Sequence, residues 1–207
     1  MAIIAAPSAL RSAQVSIKPV DTLAEVRGSY AGVETRLDFG GEWWTMQIVT
    51  PVMEWADAAA VSAWCDLLRE ADAVAKVAVP VQASRLGTSA ANTLTITAPA
   101  AAGQRLVSVS GIGANATLLA GSFVQTASFR LHRLREDVTA DGLGNGVLSL
   151  FPRLRTVLAA EQALSIGATP PPFGLWRLSG RPGHEWDANR GSLLVGAKTL
   201  NFIEALS

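Results

Sequence analysis

The chain has 207 residues, of which 49% are apolar and 16% charged, and its 17 Lys and Arg balance 17 Asp and Glu to a formal net charge of zero. This composition excludes a disordered chain, which combines few apolar residues with a large net charge, and it lacks the basic excess of a nucleic-acid binder. A single cysteine, Cys65, rules out an intrachain disulfide framework, and a net charge near zero favours association over dispersal.

The apolar start, Met1 to Leu10, has no basic residue before it and is too short for a secretory signal, and no run of about 18 apolar residues marks a membrane span. From Val33 to Phe39, apolar and charged residues alternate: Val33, Thr35, Leu37 and Phe39 share one face, Glu34, Arg36 and Asp38 the other. Gly40-Gly41 follows as a two-residue hairpin signal. The expected return strand, 43–49, turns Trp44, Met46 and Ile48 to the core and Trp43 outward. Pro51 ends it.

Residues 54–73 read as the one helix: Val61, Trp64, Leu68 and Ala71 form a stripe, alanines supply propensity, and Asp57 and Arg69 match the dipole. A short strand, 76–79, comes next. Residues 85–155 change texture, with strands expected at 93–97, 105–109, 122–126, 129–135 and 147–151 between small-residue turns, the pattern of a small barrel or sandwich. The rest is looser: a stiff Pro170–Pro172 connector, then strands at 174–178, 192–195 and 200–206. The expected fold is therefore mainly β. Segments 1–84 and 156–207 form a β-sandwich domain with the helix, and 85–155 forms an inserted β-barrel or sandwich domain.

Chemistry-bearing patterns are sparse. Gly111-Ile-Gly113-Ala-Asn-Ala116 lacks the following helix that a dinucleotide fingerprint needs, because Thr117–Gly121 is short and Gly-broken. Asp137 to Leu148 fails the calcium-loop spacing, with Thr139 at position three and Leu148 at position twelve, and reads as a hairpin connection. His132 lies in an Arg-rich strand and His184 in a turn; neither has a metal cluster or a nucleophile elbow around it. Cys65, on the helix, reads as a packed, inert thiol. Arg outnumbers Lys by 14 to 3, and Arg130, Arg133, Arg135, Arg153 and Arg155 cluster late in the middle segment. Arg is favoured at protein interfaces, where Lys is depleted. Trp43, Trp55 and Trp186 keep a sugar platform open as an alternative.

The order of several short motifs then becomes informative. Gly40-Gly-Glu-Trp43 leads to a proline and the helix with Ala63-Trp64. There follow Leu119-Ala-Gly-Ser-Phe123, Leu131-His-Arg-Leu134, Glu136-Asp-Val138, Asp141-Gly-Leu-Gly-Asn145, Leu148-Ser-Leu-Phe-Pro-Arg-Leu-Arg155, Pro172-Phe-Gly-Leu-Trp-Arg-Leu178 and Asn201-Phe-Ile-Glu-Ala205. This series, over about 38–206, resembles the distal tail (tail-hub) proteins of siphophages and their prophage relatives. It departs from that pattern at Ser122, where the family often has Asp, and residues 1–30 match no part of it.

The resemblance implies a structural virion protein of the tail tip, assembled in the host cytoplasm, without catalytic residues or cofactors. It implies a ring homo-oligomer, a hexamer, joining the tail tube protein above to hub and fibre proteins below. The residues chosen for that interface are the outer side of the strand pair, Glu34, Arg36, Asp38 and Trp43, and the basic pair Arg153 and Arg155. A carbohydrate-binding module at the tail tip, another non-catalytic interaction domain, and a hydrolase using His132 or His184 with an Asp are the rival readings.

Overall fold

The computed structural model describes residues 2–27, 34–70, 72–79, 87–167, 171–180 and 194–205, the side chains of 23–27 and 34–40 excepted. The chain is mainly β, with one α-helix among the described residues. It divides into two compact units, one made of Met1–Val74 with Trp176–Ser207, the other of Ala75–Leu175.

The first unit opens with β1 (Ala2–Ala5), a 3-10 turn (Ser8–Leu10) and two long strands, β2 (Gln14–Arg27) and β3 (Glu34–Val49). Next come β4 (Met53–Glu54), the helix α1 (Trp55–Leu67) and β5 (Ala73–Ala78), on which the chain passes into the second unit. That unit holds β6 (Thr93–Ile96), β7 (Leu106–Ser110), β8 (Thr117–Leu118), β9 (Phe123–Gln125), β10 (Leu131–Leu134), β11 (Val138–Thr139), β12 (Gly146–Phe151) and β13 (Ala163–Ser165). The chain returns along β14 (Phe173–Leu178) and finishes with β15 (Leu194–Val195) and β16 (Thr199–Glu204).

Six strands form one sheet in the order β1-β5-β14-β16-β3-β2, so β1 and β2 are its edges. Strict alternation along β3 and β16 divides the faces. Trp44, Met46 and Ile48, with Leu200 and Phe202, are buried on one side, while Trp43, Thr45 and Gln47, with Asn201 and Ile203, lie on the other. The buried side is met by α1, whose Trp64 ring lies 5.8 Å from that of Phe202. Ala58, Val61, Trp64 and Cys65 are the helix's buried face. Leu68 is buried one residue past the helix end, and Ala71 lies outside the described residues. The helix is shorter than 54–73 because it ends at Leu67 and the chain turns, with the Arg69 and Glu70 N–H groups reaching back to the Asp66 and Leu67 carbonyls.

Gly40-Gly41 makes no hairpin. β3 runs straight through both glycines, and its partner is β2, upstream, in an antiparallel register from Gln14↔Val49 to Arg27↔Glu34. The register breaks between Asp21↔Glu42 and Leu23↔Asp38, so Thr22 faces residues 39–41: a bulge, not a reversal. A local turn signal cannot tell these apart, because the bulge depends on a strand twenty residues earlier.

In the second unit six strands close into a barrel in the order β10-β12-β7-β6-β13-β9. Alternate residues fill its interior, among them Leu94, Ile96, Val107, Val109, Val124, Leu134, Leu148 and Leu164, all within 1% of full burial. Each such side chain contributes about 1.5–3 kcal/mol relative to exposure. Five of the barrel strands fall on the expected segments. The sixth, β13, lies beyond residue 155 and pairs with both β6 and β9, so the unit reaches to Leu175 rather than stopping at 155. Three residues are too few for periodicity to reveal.

Candidate interaction surfaces

The residues singled out from the sequence fall in both units. Glu34, Arg36 and Asp38 stand on β3 opposite Arg27, Glu25 and Leu23 of β2; their side chains lie outside the described residues. Trp43 is half-buried on the outer face of the first unit. There the register builds rows across three strands: Ser16, Gln47 and Asn201, then Lys18, Thr45 and Ile203, with Val20 and Trp43 beyond. The Gln47 amide donates to Asn201 Oδ1 at 3.3 Å, and Thr45 Oγ1 donates to the Lys18 carbonyl at 3.3 Å. A groove of about 260 Å³ runs among the side chains of the first two rows.

Arg153 and Arg155 belong to the second unit, just after β12, half-buried and exposed respectively. Arg133 sits opposite Phe151, and the Arg105 guanidinium lies 6.0 Å from the Phe151 ring centroid. Arg130 is buried. This basic neighbourhood encloses His132. Burial pushes the His132 imidazole down to about 4, the Arg130 and Arg155 charges add to that, and its hydrogen bond to Pro152 opposes it. The neutral ring carries its proton on Nδ1, since the Pro152 carbonyl, 2.8 Å away, only accepts. His132 is thus a packed, structurally bonded side chain. His184 and Trp186 lie outside the described residues.

Cys65 is buried, and desolvation, with Asp66 adding to it, pushes its thiol up to about 11. The carboxylate of Glu204, also buried, accepts the Trp44 backbone N–H at 3.2 Å. Among the described residues no three His, Cys, Asp or Glu gather as metal ligands would, and no helix is long and apolar enough to cross a membrane.

The residues 111–116 form the turn leading from β7 into β8, with no helix after it. Asp141-Gly-Leu-Gly-Asn145 joins β11 to β12 as a turn folded around one side chain. Asp141 Oδ1 accepts the N–H groups of Leu143 and Asn145, both at 2.8 Å, and Oδ2 accepts the Asn145 side-chain amide at 3.0 Å. These donors, Asn145 foremost, hold the Asp141 carboxyl below its ordinary value. Leu143, at the tip, is 87% exposed. Sequence reasoning passed over it; the available signal was an apolar residue between two glycines of a polar turn.

A second aromatic feature also went unread. The rings of Phe129 and Phe173 stack at 5.4 Å, and Lys76 Nζ lies 3.9 Å from the Phe173 centroid. Phe129 holds φ at +60°, a region bulky residues avoid. A cavity of about 550 Å³ in the first unit has an apolar floor of Leu68, Ala73 and Leu178, with Arg69, Glu70 and Arg177 around it.

No protein-family model and no curated protein matches this chain.

Proposed function

We propose that this chain is a structural component of a siphophage-type tail tip, a distal-tail-like subunit that closes into a ring, a hexamer, between the tail tube and the hub and fibre proteins. The reading assigns it no chemistry, and places it in the virion after assembly in the host cytoplasm. The observation that carries it is where the ordered motifs fall. Leu119–Phe123 is the turn into β9, Asp141–Asn145 the locked turn into β12, Leu148–Arg155 is β12 with its exit, Phe173–Leu178 is β14, and Asn201–Glu204 lies in β16. They are the joints of a scaffold spread over both units rather than the lining of one shared pocket.

Three further features support it. The polar side chains most suited to catalysis, His132, Cys65 and Glu204, are buried. The sheet ends in β2, a 14-residue edge strand, and such an edge is a template for pairing with another chain. Exact charge balance at this size suits a surface covered by neighbours. The test is mass: the purified chain, alone or co-expressed with the products of adjacent tail genes, runs as a ring. A chain that stays monomeric under both conditions would sink the reading.

A second reading rests on the groove of the first unit. Amide and hydroxyl groups of Gln47, Asn201, Ser16 and Thr45, with Trp43 on the same face, match the chemistry by which proteins hold saccharides. Glycan-array binding that is lost on Trp43→Ala favours it; an array without signal removes it.

A further inference from the structure

We infer that the Asp141 turn is a docking knob: Leu143 of one copy inserts into the cavity of the first unit of the next copy, between Arg69 and Arg177. The inference rests on the ring reading and names the contact that propagates it.

The knob is rigid before it binds. Besides the three bonds to its carboxylate, Asp141 accepts the Gly144 N–H at 3.0 Å through its carbonyl and donates its own N–H to the Asn145 carbonyl at 2.9 Å. The turn is also fastened to the β7–β8 connection, where Ile112 N–H donates to the Gly144 carbonyl at 3.1 Å. Gly144 holds φ at +82°, and a Cβ there would stand 3.2 Å from the Gly113 nitrogen, so a side chain at that point would be strained. All this order presents one apolar side chain to solvent. Ordering a loop in advance removes part of the entropy cost of association, and it is of no use to a leucine that stays in water. Two more apolar side chains, Val147 and Leu106, are 52% and 60% exposed on β12 and β7 of the same unit.

Charge selects the socket. From Glu136 to Val147 the chain carries three carboxylates, Glu136, Asp137 and Asp141, and no Lys or Arg. Among its described lining residues the cavity sets Arg69 and Arg177 against Glu70 over a floor of Leu68, Ala73 and Leu178, and at about 550 Å³ it holds a leucine side chain with part of its turn. Among the described residues Arg69 pairs with Asp66, at 3.3 Å, with both side chains about half exposed, so it is cheaply redirected. Knob and socket are different patches of the chain, so a contact that passes the knob of each copy to the socket of the next is heterologous, the kind that closes into a ring when its rotation allows.

The experiment compares the wild-type chain, a knob variant (Leu143→Lys), a socket variant (Arg69→Glu with Arg177→Glu) and the chain carrying all three changes. Mass photometry and sedimentation follow assembly, and circular dichroism checks the fold. Leu143→Lys changes a side chain already in water, so the fold is retained. Each half-variant should assemble at least about tenfold more weakly. A mixture of the two should assemble again in alternation, because each neighbouring pair meets either through an intact knob and socket or with Lys facing Glu. The triple variant, with Lys facing Glu, should recover assembly. A wild-type chain and half-variants that all form rings of equal stability would overturn the inference and leave the ring reading standing. A wild-type chain that is monomeric alone and with its tail partners overturns both.

Discussion

Thr22 and Gly41 hold each other across the β2–β3 ribbon by two hydrogen bonds: the Gly41 N–H donates to Thr22 Oγ1 at 2.9 Å, and the Thr22 hydroxyl donates to the Gly41 carbonyl at 3.2 Å. Thr22 thereby satisfies backbone groups that the bulge removes from the ladder, and the two strands stay paired on either side of it. A Cβ on Gly41 would stand 2.7 Å from Thr22 Oγ1 and 3.0 Å from its Cγ2. Gly41→Ala should therefore cost about 1–3 kcal/mol through overpacking. Thr22→Val, which keeps the shape and removes both bonds, should cost about 1–2 kcal/mol. Urea unfolding of the two variants measures this. Wild-type midpoints for both would mean that the bulge does not depend on this pair.

His132 makes folding of the second unit sensitive to acid. Its folded pKa, about 4, lies below the ordinary value of 6.5, so between those limits the unfolded chain binds a proton that the folded chain refuses. Stability then rises with pH across this window and is lost as pH falls from about 6.5 towards 4, by about 3 kcal/mol in all. His132→Asn, whose side-chain amide donates to the Pro152 carbonyl without titrating, should flatten that slope. Thermal melts of both proteins from pH 4 to pH 7 give the comparison; parallel pH profiles would count against burial of a neutral imidazole.

The Asp141 turn should loosen when its carboxylate is removed. Asp141→Ala deletes the acceptor for the Leu143 and Asn145 N–H groups, and their amide hydrogens should exchange faster while barrel amides keep their protection. Because the folded pKa is lowered, the stabilisation is complete above the ordinary carboxylate range and is lost as pH falls through the lowered value. Exchange followed residue by residue reads both effects. Unchanged rates at Leu143 and Asn145 would show that the turn is held by its backbone bonds alone.

Cys65 should react slowly. With its thiol near 11 instead of 9.0, the thiolate at pH 8 is about a hundredfold scarcer than in the unfolded chain, and burial hinders access further. Iodoacetamide labelling followed by intact mass should be negligible in buffer and complete in denaturant. Rapid labelling of the native chain would place the thiol at the surface.

Much of the architecture was legible from local pattern. Period-two alternation put Trp44, Met46 and Ile48 inside and Trp43 outside, because successive side chains of a strand point to opposite faces whatever its partner. The stripe through Val61 and Trp64 foretold which side of α1 is buried, and small-residue turns marked five barrel strands. The candidate surface was far less legible. Trp43 was visible as an outward aromatic, but not the Ser16, Gln47 and Asn201 row beside it, which comes from three distant segments.

The sequence by itself determined that the chain is mainly β with a single helical stripe, and which residues of each strand face inward, since these follow from periodicity and propensity over a few neighbouring residues. Only the tertiary structure decided the rest. Gly40-Gly41 became a bulge because Thr22 faces it, the barrel closed through a three-residue strand, and His132 lost its charge among buried neighbours. Leu143 was left in water at the tip of a locked turn. Each of these depends on groups far apart in the chain, and a net charge of zero, known from the first count, carries no information about where those groups meet.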